Sequence, residues 1–264
     1  MKLSISNLAW ENKNEKKIFK LLKKYNFLGI EILPTKIWGS WENITKKKVI
    51  TYKKFLDKSN IEVSSIQSLF YNTNLLLERS SDKTKIIKHF KKLIMIATHL
   101  RCKNMVFGSP SFRRIQNSNA KNIEKKLIDI LHTIKRDLKK NNITISIEPN
   151  PKIYGCNFIN NLRAANNIIK KVKSENVKIQ LDSACVLIEG GTIREMSQYL
   201  HKTNHIHLSE KNLLMLDKKN DDIKKLIKLL KEKKWQKWIS IEMMNVNLKD
   251  IENSMKFVRN EIIK

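Results

Sequence analysis

What most constrains this chain is an alternation that runs from one end to the other. Short β-branched runs recur at Leu3–Ser6, Gly29–Ile32, Glu62–Gln67, Asn104–Phe107, Thr144–Glu148, Lys178–Asp182, His205–Leu208 and Trp238–Glu242. Between them, apolar residues return every three or four positions. Ile18, Leu21, Leu22 and Tyr25 form one such set, and Ile123, Leu127, Ile130, Leu131 and Ile134 another; the last stretch is Leu248 to Ile262. That spacing buries one stripe of a helix, whereas a strand covered on both faces reads as a near-continuous apolar run. Eight strand-plus-helix units within 264 residues predict an α/β protein, a closed (β/α)8 or TIM barrel, as one domain over residues 1–264. An open doubly wound sheet is the alternative. It wants a glycine-rich phosphate loop after its first strand, where Asn7-Leu8-Ala9-Trp10 stands instead.

Charge invites a different reading. The formal net charge is +28, which suits a nucleic-acid partner. Only eight of the 53 basic residues are Arg, the favoured reader of bases and phosphates, and the lysines cluster in helix-like segments such as Lys46-Lys47-Lys48 and Lys231 to Lys234. The charge is therefore read as solvated helix surface, and no nucleic-acid partner is expected. No run approaches the roughly 18 consecutive apolar residues of a membrane span, so no membrane partner is expected either. Three scattered cysteines without a CxxC, and a start lacking the pattern of a signal peptide, place the chain in the cytoplasm as an expectation.

The punctuation marks one end of the barrel as the working face. Pro34, Pro110, Pro149 and Pro151 fall just after the carboxyl ends of strands two, four and five, and Trp10, Trp38, Trp41, Phe70, Tyr71 and Tyr154 fall in the same kind of loop. Barrel active sites are assembled from these loops. Four strand-like runs then end in a metal-competent side chain: Ser146-Ile147-Glu148, Gln180-Leu181-Asp182, His205-Ile206-His207 and Ser240-Ile241-Glu242. Three carboxylates converging at one mouth would repel each other and lose their water, at several kcal/mol per charge. A divalent cation removes that cost, and three oxygens with one imidazole suit Mn²⁺, Mg²⁺, Co²⁺ or Zn²⁺. One such ion is expected, held by Glu148, Asp182, His207 and Glu242. His205, two residues earlier on the same strand face, is read as a satisfied core histidine.

These residues and their order resemble the sugar phosphate isomerase/epimerase family of the xylose isomerase-like TIM barrels. The resemblance covers essentially the whole chain, through Ile5-Ser6-Asn7-Leu8-Ala9-Trp10, Ile30-Glu31-Ile32-Leu33-Pro34, Gln67-Ser68-Leu69-Phe70, Val106-Phe107-Gly108-Ser109-Pro110, Ile147-Glu148-Pro149-Asn150-Pro151 and His205-Ile206-His207-Leu208-Ser209-Glu210. It implies a metal-dependent isomerase or epimerase acting on a sugar or sugar phosphate. Glu148 and Glu242 would be acid and base, moving a proton through an enediolate intermediate, while Asp182 and His207 would be ligands only. The group's habit of pairing leaves a homodimer open.

The pattern departs at two places. Where ketose epimerases of this group carry a His three residues after the metal-binding Asp, this chain has Cys185; where they carry an Arg six residues after the metal-binding His, it has Leu213. Substitute substrate contacts are sought in Trp10, Lys36, Gln67, Arg113, Asn150 and Glu210, with Lys36 and Arg113 the candidates for holding a phosphate or carboxylate. Two other readings stay open. One is a lyase or dehydratase acting on keto-inositol-type substrates by the same proton abstraction. The other, apurinic-site endonuclease-like phosphodiester cleavage, needs several more histidines than the barrel mouth offers, since His89, His99, His132 and His201 fall on predicted helices.

Overall fold

The computed structural model describes residues 1–244 and 246–264. Eight strands, β1 (Lys2–Ser6), β2 (Gly29–Ile32), β3 (Glu62–Ile66), β4 (Asn104–Phe107), β5 (Thr144–Ile147), β6 (Val177–Asp182), β7 (Thr203–Ser209) and β8 (Trp238–Glu242), close in sequence order into one barrel. Every pairing is parallel, and β8 returns to β1 with Leu3 beside Ile239 and Ser4 beside Ser240. The predicted barrel is the observed one. Differences lie at strand ends: Gln67 and Glu148 sit one residue beyond their strands, and β7 is longer than its apolar run.

Among the described residues, ten α-helices wrap this cylinder: α1 (Glu15–Lys24), α2 (Pro34–Trp38), α3 (Lys46–Lys58), α4 (Lys83–Leu100), α5 (Ala120–Lys140), α6 (Leu162–Val172), α7 (Ser183–Ile188), α8 (Ile193–Tyr199), α9 (Asp221–Glu232) and α10 (Leu248–Ile263). Asparagine starts several of them. Asn161, Asn220 and Asn247 each accept a hydrogen bond from the backbone N–H three residues on, satisfying a donor the helix itself leaves open. The inward stripe of α5 is Ile123, Leu127, Ile130, Leu131, Ile134 and Leu138, all buried, as the spacing predicts.

The strands correct one expectation. They are not near-continuous apolar runs but alternate. Ile5, Ile30, Ile32, Phe107, Ile147, Leu181, Leu208 and Ile241 belong to the apolar core shared with the helices, while Ser4, Glu31, Ser65, Ser146, Gln180, His205 and Ser240 are buried polar residues between them. The polar set meets inside the cylinder: Glu31 on β2 touches His207 on β7, and Asn104 on β4 touches Asn204 on β7. In a strand, neighbours point to opposite faces, so this period of two separates a dry outer layer from a polar interior.

Candidate metal centre

Four neighbouring strands bring the expected side chains together. Register sets Asp182 beside His207 and Ser209 beside Glu242, and Glu148 follows directly on β5. One donor atom from each of Glu148, Asp182, His207 and Glu242 lies within 4.8 Å of all the others. His207 Nδ1 is the hub, 3.1 Å from Glu148 Oε1, 3.1 Å from Glu242 Oε2 and 3.5 Å from Asp182 Oδ2.

Each donor is held from behind. His207 Nε2 lies 3.0 Å from the Glu31 carboxylate, which also accepts from Ser65 Oγ. A ring nitrogen facing only a carboxylate carries the proton, so once the ring gives up its second proton to a cation its Nδ1 lone pair faces the other three acids. Ser209 Oγ lies 2.8 Å from both Asp182 oxygens, and the backbone N–H of Cys185 donates to Oδ1 at 2.7 Å. With its amide nitrogen toward the acids, Gln67 donates to Glu242 Oε1 at 3.0 Å and to Glu31, while its oxygen accepts from Ser6 Oγ. Arg113, wholly buried, donates from Nη2 to the Glu148 carbonyl at 2.8 Å and to Asn150 Oδ1. This leaves Asn150 Nδ2 to donate to Glu148 Oε2 at 3.0 Å. Gly108 makes room, since a Cβ there would overlap Glu148 Oε2.

The donors fit a divalent ion. Glu148 Oε1 and His207 Nδ1 are buried, face each other, and make no hydrogen bond. Burial, with Glu148 and Asp182 adding like charge, pushes Glu242 up to about 7 against the pull of His207. For His207, burial disfavours the charged ring, but Glu31 and Glu242 overcome it and raise its pKa well above the usual imidazole range. Acids forced to share protons with an imidazole in this way are acids that a cation would relieve. Three carboxylates and one nitrogen match hard and borderline divalent metals.

A cavity of about 960 Å³ opens over this cluster. Of the predicted substrate contacts, Gln67, Asn150 and Glu210 line it. Trp10, Lys36 and Arg113 do not. Trp10 is buried in the apolar core, and Lys36 turns its amine to the Leu8 carbonyl at 3.3 Å. Arg113 lies behind Glu148 and Asn150, so its guanidinium orders the site rather than gripping an anion. The aromatic wall is likewise narrower than expected. Phe70, Tyr71 and Tyr154 line the cavity, whereas Trp41 is buried with Nε1 on the Tyr71 carbonyl, and Trp38 packs edge-on against Tyr52. Phe70 is fixed by stacking on Phe112, with ring centres 3.7 Å apart. His205 is buried, as expected, but not satisfied. Neither ring nitrogen has a hydrogen bond, it lies 3.6 Å from Glu31, and burial drives its pKa down to about 3. Residues that sequence reasoning passed over are Glu31, Ser209 and Gly108; the signal was the period of two, which turns Glu31 and Ser209 inward with the ligands.

Fold and site together define a (β/α)8 barrel with a candidate metal centre at the carboxyl ends of its strands. The chain belongs to the xylose isomerase-like TIM barrel family, whose model matches residues 19–261. The sequence matches no curated protein. Among solved structures it is similar to D-psicose 3-epimerase in the presence of D-fructose, with a TM-score of 0.81 and 17% identity over 100% of this chain and 97% of that one. It is also similar to an AP endonuclease of family 2 from Brucella melitensis, with a TM-score of 0.77 and 17% identity over 96% of both chains. The IolI protein with a bound zinc atom gives a TM-score of 0.73 and 19% identity over 99% of this chain and 98% of that one. At such identities the likeness establishes the fold; a barrel alone does not name a reaction.

Proposed function

We propose that this protein is a divalent-metal-dependent isomerase or epimerase that moves a proton on a sugar or sugar phosphate through an enediolate. The observation that carries the reading is the meeting of Glu148 and Glu242, each 3.1 Å from the same imidazole nitrogen, at the floor of an open cavity. Glu148, Asp182, His207 and Glu242 would hold the ion. When bound, it polarises a carbonyl and its neighbouring hydroxyl, making the C–H between them more acidic.

The rest of the work falls to the chain. One glutamate removes that proton, and the same or the other returns it; return to the opposite face epimerises, and return to the adjacent carbon isomerises. Asn150, oriented by Arg113, holds Glu148 Oε2 so that Oε1 turns to the cluster. Gln67 does the same for Glu242 from the β3 side. Asp182, with both oxygens spent on Ser209 and one on Cys185 N–H, is suited to holding rather than to proton transfer. The sugar substrate named for the D-psicose 3-epimerase supports this class of chemistry, as does the zinc of the IolI protein.

Phosphodiester cleavage is less well supported. His89 and His99 lie on α4, His132 on α5 and His201 on a helical turn, leaving His205 and His207 as the barrel's imidazoles. With its three cysteines free and buried, the protein is proposed to work in the reducing cytoplasm.

The test is incubation of Mn²⁺-loaded protein in D2O with ketoses, aldoses and their phosphates. Deuterium is expected at a carbon beside the carbonyl, and Glu148→Gln and Glu242→Gln should each abolish it, with folding checked by circular dichroism. Exchange that persists in both variants refutes the acid–base assignment, and net loss of water would mark a lyase instead.

A further inference from the structure

The lining of the cavity reverses the charge of the protein around it. The chain carries 53 lysines and arginines. Among the described residues that line the cavity there is no Lys, Arg or His; the charged ones are Glu148, Asp182, Glu210 and Glu242. Even with a divalent ion in place, its three carboxylates leave one negative charge over, and Glu210 adds a second. The two cations proposed from sequence to grip an anion are both turned away, Lys36 to a backbone carbonyl and Arg113 to the far side of Glu148. A phosphate dianion entering here would lose water and meet a lining of net negative charge, with no cationic side chain among the described residues to compensate.

Size and texture give the second half. The cavity's roughly 960 Å³ stands at the top of the range of about 300–1,000 Å³ usual for small-molecule sites. A site of that size has room for more than one sugar ring beside the carboxylates. The outer part is built by the loop after β3, where Tyr71, Leu75 and Leu76 offer apolar surface beside the uncharged polar side chains of Asn72, Thr73 and Asn74. Leu213 and Met244 continue the apolar wall from the loops after β7 and β8. Flat apolar faces with amides and hydroxyls between them suit a sugar ring, which has apolar C–H faces and a rim of hydroxyls.

On the reading above, we infer that the substrate is an uncharged carbonyl sugar carrying a second, glycosidically linked sugar ring, and that phosphate esters are rejected. The carbonyl end sits at the carboxylates, and the second ring lies along Tyr71, Leu76 and Asn74.

Three compounds that share one ketose end and differ only at O6 test this: D-fructose, D-fructose 6-phosphate and isomaltulose, which bears a glucosyl group there. Their binding to metal-free and to Mn²⁺-loaded protein is measured by calorimetry, and deuterium exchange is followed separately. Isomaltulose should bind at least about tenfold more tightly than fructose, and the phosphate more weakly than fructose. Tyr71→Ala should shrink the isomaltulose preference, and Leu213→Arg should bring the phosphate in. Equal or tighter binding of the phosphate, no advantage for isomaltulose, or binding of none of the three overturns the inference. Selective binding of isomaltulose without exchange would leave this inference standing and sink the proposed reaction; exchange on the phosphate would do the reverse.

Discussion

The two faces of the strands make a useful contrast. On the outer face, Ile5, Ile30, Phe107, Ile147, Leu181 and Ile241 pack against helix stripes and carry no polar atoms to satisfy. On the inner face the same strands present Ser4, Glu31, Gln180, His205, His207 and Ser240, and several of those polar atoms have no protein partner. The outer face follows the ordinary rule that apolar area leaves water, at roughly 25 cal/mol for each Å² buried. The inner face breaks it, and barrels with a packed apolar interior show that the fold does not require the breach. Stability is thus drawn mainly from one side of each strand, while the other is free to hold chemistry.

That contrast breaks if outer substitutions prove harmless or inner ones unfold the barrel. The largest effect is expected at Phe90, fully buried on α4 against Phe70 and Phe107: Phe90→Ala should lower unfolding free energy by about 3–5 kcal/mol in urea titrations. Next comes Glu31→Gln, which removes the charge behind His207 and should weaken Mn²⁺ binding about 10- to 100-fold by calorimetry. Arg113→Lys keeps the charge but not the planar guanidinium whose Nη2 donates to both Asn150 Oδ1 and the Glu148 carbonyl. It should slow deuterium exchange by about tenfold with little change in melting temperature.

A smaller effect concerns pH. Glu242 titrates at about 7 in the metal-free protein, against roughly 4.3 for an unfolded glutamate. Its proton therefore contributes stability that is full below about 4.3 and is lost as pH rises through about 7; the raised pKa of His207 acts in the same direction at higher pH. A divalent ion replaces these protons, so the rise in melting temperature on adding Mn²⁺ should be larger at pH 8 than at pH 6. The smallest effect is Ser240→Ala. This buried hydroxyl has no partner, and its removal should change stability by less than about 1 kcal/mol.

The barrel and the four side chains of the candidate metal centre were legible because strand ends repeat a simple pattern, an apolar residue followed by an acid or a histidine. Glu31 was hidden by the same simplicity. It ends no strand, and one acid within β2 reads like any other until the opposite side of the cylinder is known. Arg113 was misjudged for another reason. It sits on a helical turn of three residues, Ser111–Arg113, with no period to reveal which way the side chain faces. The expected near-continuous apolar strands failed because that rule assumes an apolar layer on both faces, and here only the helices supply one.

The segregation of charge, lysine outside and carboxylate within, has a consequence for how the centre is loaded. A divalent ion drifting toward a body of net charge +28 climbs a repulsive field before it reaches the acids that want it. Dissolved salt shrinks that field to a shell of about 8 Å at physiological ionic strength, so capture should quicken as salt is added. Most basic surfaces hasten the arrival of what their proteins bind; this one would delay a divalent ion on its way to the candidate centre.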